Sequence, residues 1–314
     1  MSTDQHSPDL IALEKLAIDV AREAARFVVE QRAAELEVAT KSSDVDIVTV
    51  MDSRSQELIA SRLRGARPMD AFFGEEDAAA NGGTESATDG GDTESATDGG
   101  DSAADGEASD STGARSGLTW VVDPIDGTVN YLYGFPQYAV SIALVEGDPQ
   151  TPGAWRPVVG AVADAVSGVV HHARLGGGAF TRSVEGVETR LSVSKSDDLA
   201  TSLVATGFGY DAEKRVRQAH ALAEIIGHVR DIRRGGSAAL DLCHVAAGRV
   251  DAYYEMGINP WDMAAGWLVL TEAGGWCSGA AGSAPSKQCV MAGAPGIRAE
   301  FTALVDPLVA AVNG

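Results

Sequence analysis

Six consecutive residues, Asp123-Pro124-Ile125-Asp126-Gly127-Thr128, combine the groups most able to do chemistry in this chain. They follow an apolar run, Leu118 to Val122, that reads as a buried strand. Proline has no N–H, so simple continuation of a ladder stops at Pro124. Asp126 then stands where a helix or turn begins. Two carboxylates and the Ile125 carbonyl surround one corner, and hard divalent cations such as Mg²⁺ take oxygen clusters of this kind. The amides of Gly127 and Thr128 could face an anion, as amides do at a helix start. A metal site beside an anion site is what phosphate-ester hydrolysis needs. Read alone, Asp-Pro and Asp-Gly also make an ordinary tight turn.

Two further acidic clusters weigh against the ordinary turn. Phe72-Phe73-Gly74-Glu75-Glu76 is a short apolar run ending in paired glutamates. Asn259-Pro260-Trp261-Asp262 precedes a helical stretch, Met263 to Ala273, for which Asp262 fits an N-cap. Each could be purely structural, a solvated strand end or a cap. All three place an acid at the junction of one element with the next. No covalent nucleophile stands out: the serines lie outside any elbow-type motif. Cys243, Cys277 and Cys289 lack paired metal spacing. His171 and His172 are neighbours on a strand, so they point to opposite faces and cannot share a ligand.

These clusters together resemble the inositol monophosphatase family of Mg²⁺-dependent, lithium-sensitive phosphatases. The resemblance rests on Trp120 through Tyr131, on Trp261-Asp262 through Gly274-Gly275, and on two segments between them, Arg233 to Asp241 and Gly248 to Glu255. It runs from Leu10 to about Ala311, apart from one insertion. It implies an α/β fold of the sugar phosphatase type, a five-layer αβαβα sandwich with the site between two halves. Residues 1–195 would carry most metal ligands, and 196–314 would carry Asp262 and the substrate contacts.

The resemblance also implies roles. Glu75, Asp123 and the Ile125 carbonyl match ligands of a first Mg²⁺. Asp123, Asp126 and Asp262 match those of a second, and a third, weaker ion leans on the same glutamate. Asp52 matches the acid that works with Thr128 on the attacking water, with Glu75 beside them. Lys41 matches a lysine near the site. Asp126, Gly127, Thr128, Gly236, Ser237, Ala238, Glu255 and Asp262 match substrate contacts, with Glu255 toward substrate hydroxyls. The implied reaction is hydrolysis of a small polyol phosphate, first inositol 1-phosphate, by metal-activated water. Fructose 1,6-bisphosphate is the alternative, with Arg215, Arg217, Arg233 and Arg234 as candidate partners for its second phosphate. A non-catalytic acidic binding protein is the reading from a different class. A homodimer is implied as well.

Composition narrows the setting. The net charge is −21 over 314 residues, and lysine is confined to Lys15, Lys41, Lys195, Lys214 and Lys287. Strong acidity with scarce lysine suits a salt-rich, halophilic cytoplasm, where surface carboxylates are screened. It argues against a nucleic-acid partner, because phosphate backbones need basic surfaces. No apolar run reaches transmembrane length, which argues against a membrane partner. The polar, acidic start lacks a secretory pattern, and three scattered cysteines fit a reducing cytoplasm.

Periodicity places a helix over Leu10 to about Ala34, a brief strand at Asp46 to Val50, and a helix from Ser53 to Arg64. Strands are predicted at Met69 to Phe73, Leu118 to Val122 and Ala139 to Glu146, followed by a hairpin of Val158 to Ala163 and Gly168 to Ala173. Helices and strands then alternate to the end, as in a layered α/β protein. Residues 78–116 interrupt this order with an acidic, Gly/Ser-rich insertion in which Thr84 to Asp92 is repeated as residues 93–101. Such a segment cannot bury enough apolar area to offset ordering entropy and is expected to be disordered.

Overall fold

The computed structural model describes residues 9–39, 44–80 and 116–314. Lys41 and residues 81–115 of the insertion lie outside them. Residues 78–80 of the predicted insertion close a short helix.

Seven strands form the first sheet in sequential order: β1 (Ala71–Gly74), β2 (Leu118–Asp126), β3 (Ala139–Gly147), β4 (Trp155–Asp164), β5 (Val170–Arg174), β6 (Gly178–Arg182) and β7 (Glu188–Arg190). β1 and β2 are parallel and the other pairs antiparallel. A second sheet runs β11 (Trp276–Ser278), β12 (Val290–Gly293), β10 (Ala252–Glu255), β8 (Leu203–Thr206), β9 (Asp231–Arg233). Helices α1 (Leu10–Ala39) and α2 (Asp44–Ala66) cover the outer face of the first sheet. Helices α6 (Ala238–Ala246) and α7 (Pro260–Glu272) fill the space between the sheets. Helices α5 (Ala212–Ile226) and α8 (Arg298–Asn313) cover the far face of the second. The result is the αβαβα sandwich, with short helices α3 (Glu75–Ala80) and α4 (Thr128–Tyr133) flanking the first sheet's site-bearing strands.

A sheet covered on both faces needs apolar residues on both, and β2 reads as a near-continuous apolar run for that reason. Trp120 and Val122 pack toward α1 and α2, whereas Val121 packs toward α7. The middle layer is thin. A Cβ at Gly160 on β4 would lie 2.8 Å from the Ala265 carbonyl, and one at Gly266 would lie 2.7 Å from Leu242 Cβ. Only glycine allows sheet, α7 and α6 to approach this closely.

Several sequence expectations need correction. Asp46 to Val50 is not a strand, because α2 begins at Asp44 and runs unbroken through it; five residues of weak alternation do not outweigh continuity with the following helical pattern. β2 does not stop at Val122 but carries Asp123 to Asp126 within it. Its pairing to β3 accommodates proline by a register break between Asp123 and Asp126. Among the described residues, no helix is long and apolar enough to cross a membrane.

Candidate active site

The register break decides where the two aspartates point. Alternation puts Asp123 on the face of Val121, toward α7. In a regular strand Asp126, three residues on, would face the other way. The break at Pro124 removes that constraint, and ligand atoms of Asp123, Asp126 and Asp262 lie within 4.8 Å of one another. Asp262 arrives on the first turn of α7, whose start is fixed to the first sheet. Ser141 on β3 donates to the Trp261 carbonyl at 3.2 Å, and Phe73 meets the Trp261 ring at 5.4 Å. Asp262 is not the N-cap expected from sequence. Asn259 holds that position, Pro260 opens the helix, and Asp262 accepts the Asn259 N–H from the third helical position. Proline after the cap, with its preset φ and missing N–H, moves the helix start three residues upstream.

Glu75 lines the same cavity, of about 160 Å³, together with Asp123, Ile125, Asp126 and Asp262. Its neighbour Glu76 is held elsewhere. Ser53 donates to the Glu76 carboxylate at 2.9 Å, and Gln56 accepts the Glu76 N–H at 3.0 Å. The α2 side chains thus sort the paired glutamates. Gly74 makes this possible, since a Cβ there would lie 2.1 Å from Gln56 Oε1. Asp52, also on α2, is buried, and among the described residues its Oδ1 has no hydrogen-bond partner. Thr128 donates its hydroxyl to the Ile125 carbonyl at 3.0 Å. Gly127 occupies the left-handed region at φ 93° before α4, where no side chain caps the helix.

Asp126 ties the first sheet to the middle layer. It accepts from the Ser237 hydroxyl and from the Ala238 and Ala239 amides at 3.2 and 2.9 Å, where α6 begins. Ser237 is therefore turned onto Asp126, while Gly236 and Ala238 line the cavity. Glu255 lines it too and accepts from the Tyr253 hydroxyl at 2.7 Å. A Cβ at Gly207 would overlap its carboxylate at 2.2 Å. Among the four arginines considered from sequence, Arg234 lines the cavity. Arg233 pairs with Asp231, Arg217 donates to the Val312 carbonyl, and Arg215 lies exposed on α5.

Electrostatics is lopsided. Burial, then Glu76 and Asp126, pushes Glu75 up to about 7. Burial pushes Asp126 up to about 6 against the lowering pull of Ser237 and the α6 amides. Asp123 and Asp262 are raised by burial and then by the neighbouring carboxylates, and Asp52 by burial, Glu75 and Glu76. Glu255 is pushed up to about 7 by burial, opposed by Tyr253 and Arg234. Hard oxygen donors this close repel one another unless protons or a cation intervene. The set fits one or more Mg²⁺ ions: carboxylates and a carbonyl, without thiol or imidazole. The unpartnered Asp52 Oδ1 adds a further acceptor beside them.

Sequence reasoning missed Gly207, Phe208 and Tyr210 at this cavity, and the buried Tyr253 that holds Glu255. The Gly207-Phe208-Gly209 pattern was the available signal for a close backbone approach.

The comparisons with known proteins agree with this geometry. The family model described as the inositol monophosphatase family matches residues 9–310. "Inositol-1-monophosphatase SuhB" of Mycobacterium tuberculosis is 40% identical over 311 residues, covering 94% of this chain and 93% of the relative. "Inositol monophosphatase 1" of Homo sapiens is 34% identical, covering 82% of this chain and 80% of the relative. The solved structure of Mycobacterium tuberculosis SuhB superposes with a TM-score of 0.72 at 38% identity, over 96% of this chain and 98% of that one.

Proposed function

Because the chain belongs to the inositol monophosphatase family of phosphoric monoester hydrolases, we propose that it hydrolyses inositol 1-phosphate to inositol and phosphate with Mg²⁺. One observation carries the reading. Acids from β2, α3 and α7 converge in one cavity. Although Arg234 lines it and acts on Glu255, burial and mutual repulsion still raise Glu75, Asp123 and Asp262, and burial raises Asp126. Glu75, Asp123, the Ile125 carbonyl, Asp126 and Asp262 would hold two or three ions. Bound Mg²⁺ supplies positive charge for the phosphoryl oxygens and acidifies a water. Thr128 and Asp52 would orient the attacking water, and Asp52, with Glu75 beside it, would accept the one proton the water loses. Gly127 and Thr128 contact the phosphate at the uncapped start of α4. Glu255, fixed by Tyr253, selects for hydroxyls on the leaving polyol, between Gly236 and Ala238 on one side and the segment after Gly207 on the other.

A cytoplasmic homodimer is part of this proposal. Of the four arginines considered for a second phosphate, Arg234 alone lines the cavity, so fructose 1,6-bisphosphate is tested as the second substrate. The test is phosphate release from both substrates in high salt, with Mg²⁺, with Mg²⁺ plus lithium, and after exhaustive chelation. Activity on inositol 1-phosphate that requires Mg²⁺ and falls with lithium is expected. Full activity after chelation, or none on any polyol phosphate, would overturn the reading.

A further inference from the structure

Gln218 extends inward from α5 and is only 5% exposed. Its Oε1 accepts from the Gly209 N–H at 2.9 Å, and its Nε2 donates to the Met256 carbonyl at 2.7 Å. Those two backbone groups belong to different segments. Residues 207–210 follow β8, and residues 256–259 follow β10. The parallel ladder between β8 and β10 ends at Thr206 and Tyr254. Beyond it, among the described residues, no backbone hydrogen bond joins the two segments. The Gln218 amide bridges the gap.

Both segments line the active cavity: Phe208 and Tyr210 from one, Gly257 and Asn259 from the other. They flank Glu255, against whose carboxylate Gly207 lies too close to admit a Cβ. Core packing does not account for glutamine at this position. Its α5 neighbours on the buried side, Ala221 and Ile225, are apolar. A buried amide is costly unless both of its ends are bonded, and here both are, each to a wall of the cavity.

We propose that Gln218 is a positioning residue that sets the spacing of the two walls around the polyol, and so acts on substrate affinity without touching the substrate. The inference rests on the inositol-phosphatase reading, since it assigns these walls to the leaving group. An apolar residue at 218 would fill the same space but release Gly209 and Met256 from each other. The metal cluster, carried by β2, α3 and α7, would keep its geometry, because Ser141 and Phe73 fix Trp261 at the start of α7 independently of Gln218.

The test compares the full chain with Gln218→Met and Gln218→Glu in Mg²⁺, using inositol 1-phosphate and 4-nitrophenyl phosphate, which has no hydroxyls to recognise. Expected is a rise in KM for inositol 1-phosphate of about tenfold, with kcat nearly unchanged, as for loss of uniform binding. Turnover of 4-nitrophenyl phosphate should stay within about twofold, since an intact metal cluster loses no transition-state contact. Gln218→Glu keeps the acceptor for Gly209 and loses the donor to Met256; it carries the test if Gln218→Met shows no cooperative thermal transition. Equal losses on both substrates, or no change on either, would overturn the proposal. A wild-type chain that ignores inositol 1-phosphate but hydrolyses another polyol phosphate would sink the parent reading alone. The same comparison would then be read on that substrate.

Discussion

Glu14 and Asp123 are both buried carboxylates against the first sheet, and the protein treats them in opposite ways. Glu14 on α1 receives His172 Nδ1 at 2.8 Å and Arg174 Nη1 at 2.6 Å from β5. Burial pushes Glu14 upward, but its hydrogen bonds to His172 and Arg174 outweigh that, and the net direction is down. Asp123 has burial and four other acids around it, all pushing up. One cluster carries its own counter-charge and needs nothing further. The other has no such internal pairing at Asp123 and, under the proposed function, takes its counter-charge from solution as Mg²⁺. A buried carboxylate that the chain has left uncompensated is the mark of a site here, and burial alone is not.

The sharpest way to break this contrast is to neutralise one member of each cluster. Asp123→Asn should lower kcat at least about a hundredfold, because it removes a ligand central to the set. In metal-free buffer the same variant should unfold at a higher temperature than wild type, since one repelling charge is gone. Steady-state kinetics and a thermal melt with chelator check both halves; near-normal turnover would reject the ligand assignment. Glu14→Gln should do the reverse. It should cost about 3–5 kcal/mol in a denaturant titration, the usual scale for breaking a buried charged pair. Its kcat/KM should stay near wild type. An activity loss larger than the stability loss would show that the two clusters are not independent.

The smallest expected effect is on pH dependence. Glu75 and Asp126 titrate near 7 and 6 in the folded protein, above ordinary carboxylates near 4. Between those limits the metal-free folded state binds more protons than the unfolded state, so stability must fall as pH rises. The chelated protein should therefore lose a few degrees of Tm between pH 5 and 7.5, and the gain from added Mg²⁺ should grow over the same interval. Melts across pH with and without Mg²⁺ measure this. A Mg²⁺ gain that is flat with pH would mean that the cluster is already ionised when empty.

Much of this site was legible in the sequence because its residues sit at element junctions. Asp123, Asp126 and Asp262 are local events, a strand end or a helix start, and short-range chemistry identifies them. Their convergence was legible only through the family resemblance. What stayed hidden depended on long-range packing. Ser53 and Gln56 decide which glutamate of the pair enters the cavity, yet neither carries a signal of its own. Asp262 fits an N-cap in the sequence, and the structure gives that position to Asn259 because Pro260 opens the helix. The strand expected at Asp46 to Val50 failed because a five-residue alternation is compatible with the middle of a helix. His171 and His172 behave as strand geometry demands: His172 bonds Glu14, and among the described residues no hydrogen bond or ion pair joins Glu14 to His171.

The close approach of Gly160 to the Ala265 carbonyl bears on how relatives should be judged. Ala265 stands one helical turn after Asp262 on α7. A single methyl group at position 160 must push that turn away from β4, and the carboxylate moves with it. Position 160 has no polar side chain and belongs to no motif, yet it governs the registration of α7 against β2. A lineage could keep every acid in place and still drift out of catalysis through this contact. Intact acids are thus one mark of a working site under the proposed function, and the fit of the middle layer is another.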